Sequence, residues 1–371
     1  MSGVELFFAG TADDAGLRAL LRELSSGGAI RLGLWHEPDF FAAVEVEGRD
    51  PVVTSAREPG GRIVLVAVTT WRDVYVNGAA ATVGYFSGLR LDPRHRGEGI
   101  IPRGFALAHG EHARRPAQFH LATIIEDNVA ARRALEGGRN GLPLFAPHGT
   151  YQTLTWLARG DPWRAGAARG VEVAPADGAG LEPLAALWRA EGPRRQFFPV
   201  QDAADLLAPG GRLRGLSPAD VLVAREGGRV VGTLGLWDQR PFRQWVVAGY
   251  SRPLGLARPL YNAFASTTGR PRLPPPGGVL DLRLGALLCV AGDRPEVLAA
   301  LLSAAWRTMQ ARSPGALLSI GVHQRDPLLP LLASVPHRLL RSRFYVPHWP
   351  EGAAAHAALD DRCPYLELGS L

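Results

Sequence analysis

The chain has no lysine: all 41 of its basic side chains are arginine. That excludes a Walker phosphate loop, whose Gly-Lys-Ser/Thr core needs the ammonium group. Cysteine is nearly absent as well. Cys289 and Cys363 show neither zinc-site nor redox-pair spacing, and so few thiols fit a reducing cytoplasm. Long apolar runs are missing; the stretch 280–290 is interrupted by Asp281 and Arg283, so no membrane span is expected. The N-terminal residues lack a basic region and lead into Asp13 and Asp14, which argues against a secretory signal. No run of five basic residues occurs. The net charge of +6 therefore reads as a basic mouth for an anionic ligand rather than a nucleic-acid arm. A G-x-S-x-G elbow is absent, which disfavours a serine hydrolase. His109-Gly110-Glu111-His112 is not H-E-x-x-H and reads as a solvated helix face, so no metal is expected.

What the chain does contain is a glycine-bearing turn between a strand and a helix. Residues 82–91 alternate as a strand does, and 100–111 carry helical periodicity. Between them runs Asp92-Pro93-Arg94-His95-Arg96-Gly97-Glu98-Gly99. A turn of this kind aims several backbone N–H groups at one anion, and glycine lets a phosphate approach the main chain. Pro102 falls in the first helical turn, where a missing N–H costs nothing. It also stands where a Rossmann G-x-G-x-x-G motif needs its third glycine, so that motif fails. Residues 118–125 read as the next strand, Glu126-Asp127-Asn128 as a cap, and 129–135 as a short helix ending at Gly137-Gly138.

The spacing Arg94-x-x-Gly97-x-Gly99, followed by Asn128, Ala131 and Gly138 around the next helix, resembles the GNAT superfamily of acyl-CoA-dependent N-acyltransferases. The resemblance covers residues 1–158. It implies a mixed α/β sheet and acyl-CoA, foremost acetyl-CoA, as co-substrate. Pyrophosphate would lie on the N–H groups of Arg96, Gly97, Glu98, Gly99, Ile100 and Ile101, with Arg94 at the phosphates. Leu89, Arg90 and Leu91 would pair with pantetheine, and Asn128 would open the following helix. The superfamily's usual thiolate-protonating tyrosine falls at Leu135, so that role does not carry over. For proton transfer the candidates are Tyr85, Glu126 and Tyr151, with Ser87, His120 and Asp127 as further choices; each also has a purely structural reading. The acceptor is expected to be a small-molecule or peptide amine. Neither nucleic acid nor membrane is expected as a partner, and a homodimer is allowed. Absence of lysine fits GC-rich coding better than selection against self-acylation, given the abundant Ala, Gly, Pro and Arg.

At 371 residues the chain suggests two domains. We place a catalytic GNAT domain at 1–160, a linker at 161–170, a GNAT-like domain at 171–350 and a tail at 351–371. The second half repeats the order of elements, but its turn, Ala291-Gly292-Asp293-Arg294, has one glycine and an acid that repels pyrophosphate. It reads as a degenerate copy that completes the pocket or a dimer interface. Trp35, Trp71, Phe197, Phe198, Trp237 and Trp245 are candidates to line that pocket, and 270–278 to form a stiff proline-rich loop. An acyltransferase of longer chains, from acyl-CoA or acyl carrier protein, and a non-catalytic acyl-CoA-binding module are the alternatives.

Overall fold

The computed structural model describes all residues except 1–2, 26, 116, 137, 139–140, 158–159, 177–179, 209 and 269–271. Gly137 of the expected helix end, and residues 270–271 of the expected stiff loop, lie outside the described residues. The strands are β1 (Glu5–Phe8), β2 (Ile30–Trp35), β3 (Arg49–Arg57), β4 (Ile63–Val76), β5 (Ala79–Leu91), β6 (His120–Ile125) and β7 (Leu144–Leu157) in the first half. In the second they are β8 (Val171–Pro175), β9 (Val221–Glu226), β10 (Arg229–Trp237), β11 (Gln244–Tyr250), β12 (Leu282–Val290), β13 (Leu317–His323) and β14 (Arg338–His348). The helices that matter below are α1 (Asp14–Glu23), α2 (Phe40–Val44), α3 (Ile100–His112) and α4 (Val129–Leu135).

Twelve strands form one mixed sheet in the order β1-β3-β4-β5-β6-β14-β7-β13-β12-β10-β9-β8. β5–β6 and β12–β13 run parallel, and the other ladders are antiparallel. Asn77 and Gly78, both at positive φ, make the tight turn between β4 and β5 that their sequence announces. Neither half closes its part of the sheet with its own strands alone. β14 inserts between β6 and β7, pairing Ser342–Tyr345 with Ile125–Ala122 on one side and running along β7 on the other. β7 in turn pairs with β13. Strand alternation states which side chains share a face; it carries no information about which strand lies alongside.

β2 and β11, neither foreseen, form a separate antiparallel ribbon that ties the halves together. Buried side chains fill both faces of the sheet. Tyr85, Phe119, Tyr151, Phe197, Phe344 and Leu366 make one cluster, and Phe86, Ala122, Leu135, Phe145, Tyr345 and Trp349 make the cluster across the sheet. Trp71, Phe197 and Trp237 are core residues rather than an open pocket wall, and Phe198, also buried, borders a cleft of the second half. No helix of the structure, among the described residues, is long and apolar enough to cross a membrane.

Candidate active site

β5 and β6 are paired only at Gly84 with His120, Tyr85 with Leu121 and Phe86 with Ala122. Beyond that point they part. Thr123, Ile124 and Ile125 keep only the ladder to β14, on the opposite edge of β6. β5 meanwhile carries a bulge: Val66 faces Arg90 but Val68 faces Ser87, with Gly88 at φ 61°. Leu89, Arg90 and Leu91 therefore present one edge to β4 and leave the other facing the gap.

The gap opens toward the glycine turn. Asp92 accepts a bond from the Arg94 N–H, at 3.0 Å, and starts the 3₁₀ turn 93–95. Gly97 (φ 88°) and Gly99 (φ 70°) occupy the left-handed region that suits glycine, and a Cβ on either would meet only open space. α3 follows at Ile100, so the first N–H groups of a 13-residue helix point out of the turn without intrahelical partners. Arg96 to Gly99 are exposed and Ile100 is buried. Arg94, by contrast, is folded back on Asp92 at 2.7 Å, and Arg62 meets the same carboxylate at 2.7 Å. These arginines, Arg94 foremost, hold the Asp92 carboxyl well below the usual carboxylate range. His95 lies between Glu58 at 2.9 Å and Glu98 at 3.2 Å, which raises its pKa. Asn128 caps α4, its side chain accepting the Ala131 N–H at 3.1 Å.

The three residues foremost for proton transfer are not brought together at the gap. Tyr85 is buried, its ring is covered by the Arg72 guanidinium at 3.7 Å, and burial pushes its phenol up to about 12. Tyr151 is buried in the same cluster, donates its hydroxyl proton to the Leu366 carbonyl at 2.9 Å, and is likewise raised by desolvation. A phenol so placed does not accept a proton near neutral pH. Glu126 follows the far end of β6, five residues beyond Leu121 and so roughly 16 Å along the strand from Tyr85. His120 is buried and stacked on Phe86 at 4.2 Å, and burial pushes its pKa well below the usual value. Asp127 is exposed.

The residue that does reach the point of parting is Glu47, which lies on a 3₁₀ turn after α2. One carboxylate oxygen accepts a short bond from Ser87, the first residue past the last β5–β6 pair. The other lies 3.2 Å from the Arg243 guanidinium, which comes from the second half. Its carbonyl accepts from Thr70 at 3.0 Å and from Arg72. Glu47 is only 2% exposed. A carboxylate buried this deeply needs such partners. The sequence carried one signal for it: an acid set in the apolar run Phe40-Phe41-Ala42-Ala43-Val44-Glu45-Val46-Glu47.

The second half has the same parting, since β12 and β13 pair only from Leu282 with Leu317 to Leu284 with Ser319. Its mouth is occupied. Arg195 bridges Asp293 and Asp326 (3.2 Å) within a narrow cleft that Glu191, Cys289 and Tyr365 also line. Among the described residues no group of three or more His, Cys, Asp or Glu is placed to hold a metal ion.

No protein-family model and no curated protein matches the sequence. Solved structures do match the fold. A GCN5-related glucosamine N-acetyltransferase region of a fungal multi-domain GH3 β-N-acetylglucosaminidase aligns over 93% of this chain with a TM-score of 0.62 at 15% identity. This chain spans 38% of that protein's length. The N-myristoyltransferase of Saccharomyces cerevisiae, solved with myristoyl-CoA bound, aligns over 93% of this chain and 83% of its own, with a TM-score of 0.58 at 11% identity. A GCN5-related N-acetyltransferase from Kribbella flavida covers 96% of this chain and 74% of its own, with a TM-score of 0.51 at 13% identity. With one sheet holding two parted parallel strand pairs, each followed by a turn and a helix, the chain has the GNAT fold in tandem.

Proposed function

We propose that the protein is an N-acyltransferase that moves an acyl group, foremost acetyl, from acyl-CoA to a primary amine by direct attack. The observation that carries this reading is the parting of β5 from β6 at Phe86, beside the glycine turn and the N-terminus of α3. Pantetheine would extend the free edge of Leu89 to Leu91, and pyrophosphate would lie on the N–H groups of residues 97–101, near the positive end of the helix. The Arg96 side chain is exposed at the same turn. Glu47, hydrogen-bonded to Ser87 at the vertex, takes the proton of the attacking amine. Tyr345 of β14 packs in one cluster with Leu135 and donates to Glu136. Burial raises its pKa to about 12, so it keeps a proton to offer the departing thiolate. The second half supplies Arg243 to Glu47 and so completes the site. A cytoplasmic setting suits a CoA-dependent enzyme with two unpaired cysteines.

Phe86, Phe105 and Phe145 pack beneath the gap with ring centroids 5.3 to 6.4 Å apart, which favours a short acyl group over a long chain. The test is thermal stability with acetyl-CoA, longer acyl-CoAs and free CoA, on wild type and Gly97→Glu. Binding raises Tm, by about 2.7 kcal/mol of stabilisation at a hundred times Kd. In Gly97→Glu the shift is expected to vanish, because a carboxylate is placed beside the phosphates while no neighbour is displaced. A larger shift with long acyl-CoAs would move the donor to longer chains. No shift with any of them would sink the acyl-CoA reading.

A further inference from the structure

One helix of the second half has its polar side inward and its apolar side out. It spans Arg252–Thr268 and follows β11, and the returning stretch 273–280 bonds both of them. Asn262 exchanges two hydrogen bonds with the main chain of Leu273, at 2.8 and 3.0 Å, and Arg258 reaches the same carbonyl at 3.4 Å. Ala265, three positions after Asn262, is buried on that side. Outward, Leu256 is 85% exposed, Leu260 78% and Phe264 50%. Pro253, Ala257 and Ala263 are exposed among them. The spacing of four sets the three large side chains in one stripe, roughly 12 Å long. A helix of a globular domain ordinarily turns its apolar face to the core, so a stripe pointing away marks a surface that something else covers.

Charge says what that is. Residues 239–280 hold six arginines and no acidic residue, and the stretch 24–36 around β2 holds Arg31 and no acid. Arg240 and Arg243 are paired with Asp238, Asp281 and Glu47, all outside these stretches. Arg31, Arg252, Arg258 and Arg272 form no ion pair among the described residues. Arg31, Arg252 and Arg272 are exposed, and they frame the stripe. Arg252 opens the helix, Arg31 lies opposite Gly249 where the ribbon ends, and Arg272 precedes the Leu273 held on the helix flank. A second copy of the chain would set these arginines against themselves, with no acid on either surface to meet them. An anionic lipid surface answers both features, with phosphates for the guanidinium groups and an acyl region for the leucines. We propose that this helix lies in the plane of an anionic membrane and holds the protein there peripherally. Neither a span nor a long basic run announces such a surface in the sequence. The leucine stripe and the arginines meet only once β2, β11 and the return of residues 272–280 are in place.

Co-sedimentation with vesicles is the test. Wild type is expected to bind vesicles of equal parts phosphatidylglycerol and phosphatidylcholine roughly tenfold or more tightly than phosphatidylcholine alone, and added salt should erode the difference. Leu256→Gln combined with Leu260→Gln should weaken that binding by roughly tenfold or more, since glutamine sustains a helix and both positions are exposed. Arg252→Gln combined with Arg272→Gln should remove the preference for anionic vesicles. A wild type without that preference overturns the proposal, and the comparison needs no variant to fold. Binding unmoved by the leucine pair overturns it too. So does a dimer, seen by light scattering, that the leucine pair dissolves, because the face then belongs to a second copy.

Discussion

Replacing Glu47 by glutamine is expected to lower kcat with an alkylamine acceptor by roughly 10²- to 10⁴-fold, the usual contribution of a positioned general base. Glutamine keeps the size of the side chain and can turn its oxygen to Arg243 and its amide N–H to the Ser87 hydroxyl, so acyl-CoA binding should survive. The acceptor's own basicity supplies the control. An alkylamine, with a pKa near that of lysine at about 10.4, arrives protonated and needs a base before it can attack. A weakly basic acceptor such as a hydrazine arrives neutral, and with it Glu47→Gln should lose far less. Equal losses with both acceptors would assign Glu47 to holding Arg243 in place and not to proton transfer. Ser87→Ala, which removes one hydrogen bond to the carboxylate, should have a smaller effect in the same direction.

Acid is expected to unfold the protein over the pH range in which histidine titrates. His36, His112, His120 and His323 are all buried, at 2–5% exposure. Desolvation lowers their pKa values: to about 3 for His112, to about 4 for His323, and well below the usual value for His36 and His120. In the unfolded chain each returns to about 6.5. A group whose folded pKa is depressed contributes its full stability above the unfolded pKa and loses it as pH falls toward the folded one. The window is therefore pH 6.5 down to about 3 or 4. Each such histidine costs at most about 1.4 kcal/mol per pH unit there, against a total stability of ordinarily about 5–15 kcal/mol. Tm measured from pH 7.5 to 4.5 should fall steeply below 6.5, and His120→Phe, which stacks on Phe86 without a titratable ring, should flatten the fall. A Tm constant across that range would contradict this account.

The local elements were legible because local chemistry determines them. Asn77-Gly78 specifies its turn, Gly97 and Gly99 announce the left-handed positions before α3, and Asn128 announces the cap of α4. What escaped is what depends on distant partners. β2 and β11 exist as a ribbon only because each finds the other across more than two hundred residues, and neither has a strong alternation of its own. Tyr85 and Tyr151 read as catalytic because phenols often are. Their enclosure by Phe197, Phe344 and Leu366 is set by the second half of the chain. Glu47 stood among apolar residues with no motif around it, and its partners Ser87 and Arg243 lie far along the sequence.

The exchange of β14 into the first half's sheet has a consequence for how the molecule comes into being. β6 has its second neighbour only when residues 342–345 arrive, and β7 cannot settle until β13 and β14 flank it. A ribosome releasing the chain from its N-terminus therefore holds a first half with an open gap in its sheet during most of synthesis. Pairings this remote in sequence are slow to form, and an unpaired edge is sticky while it waits. Production of residues 1–160 alone should yield aggregation-prone material, and co-production with 161–371 as a separate chain should rescue it by mutual completion.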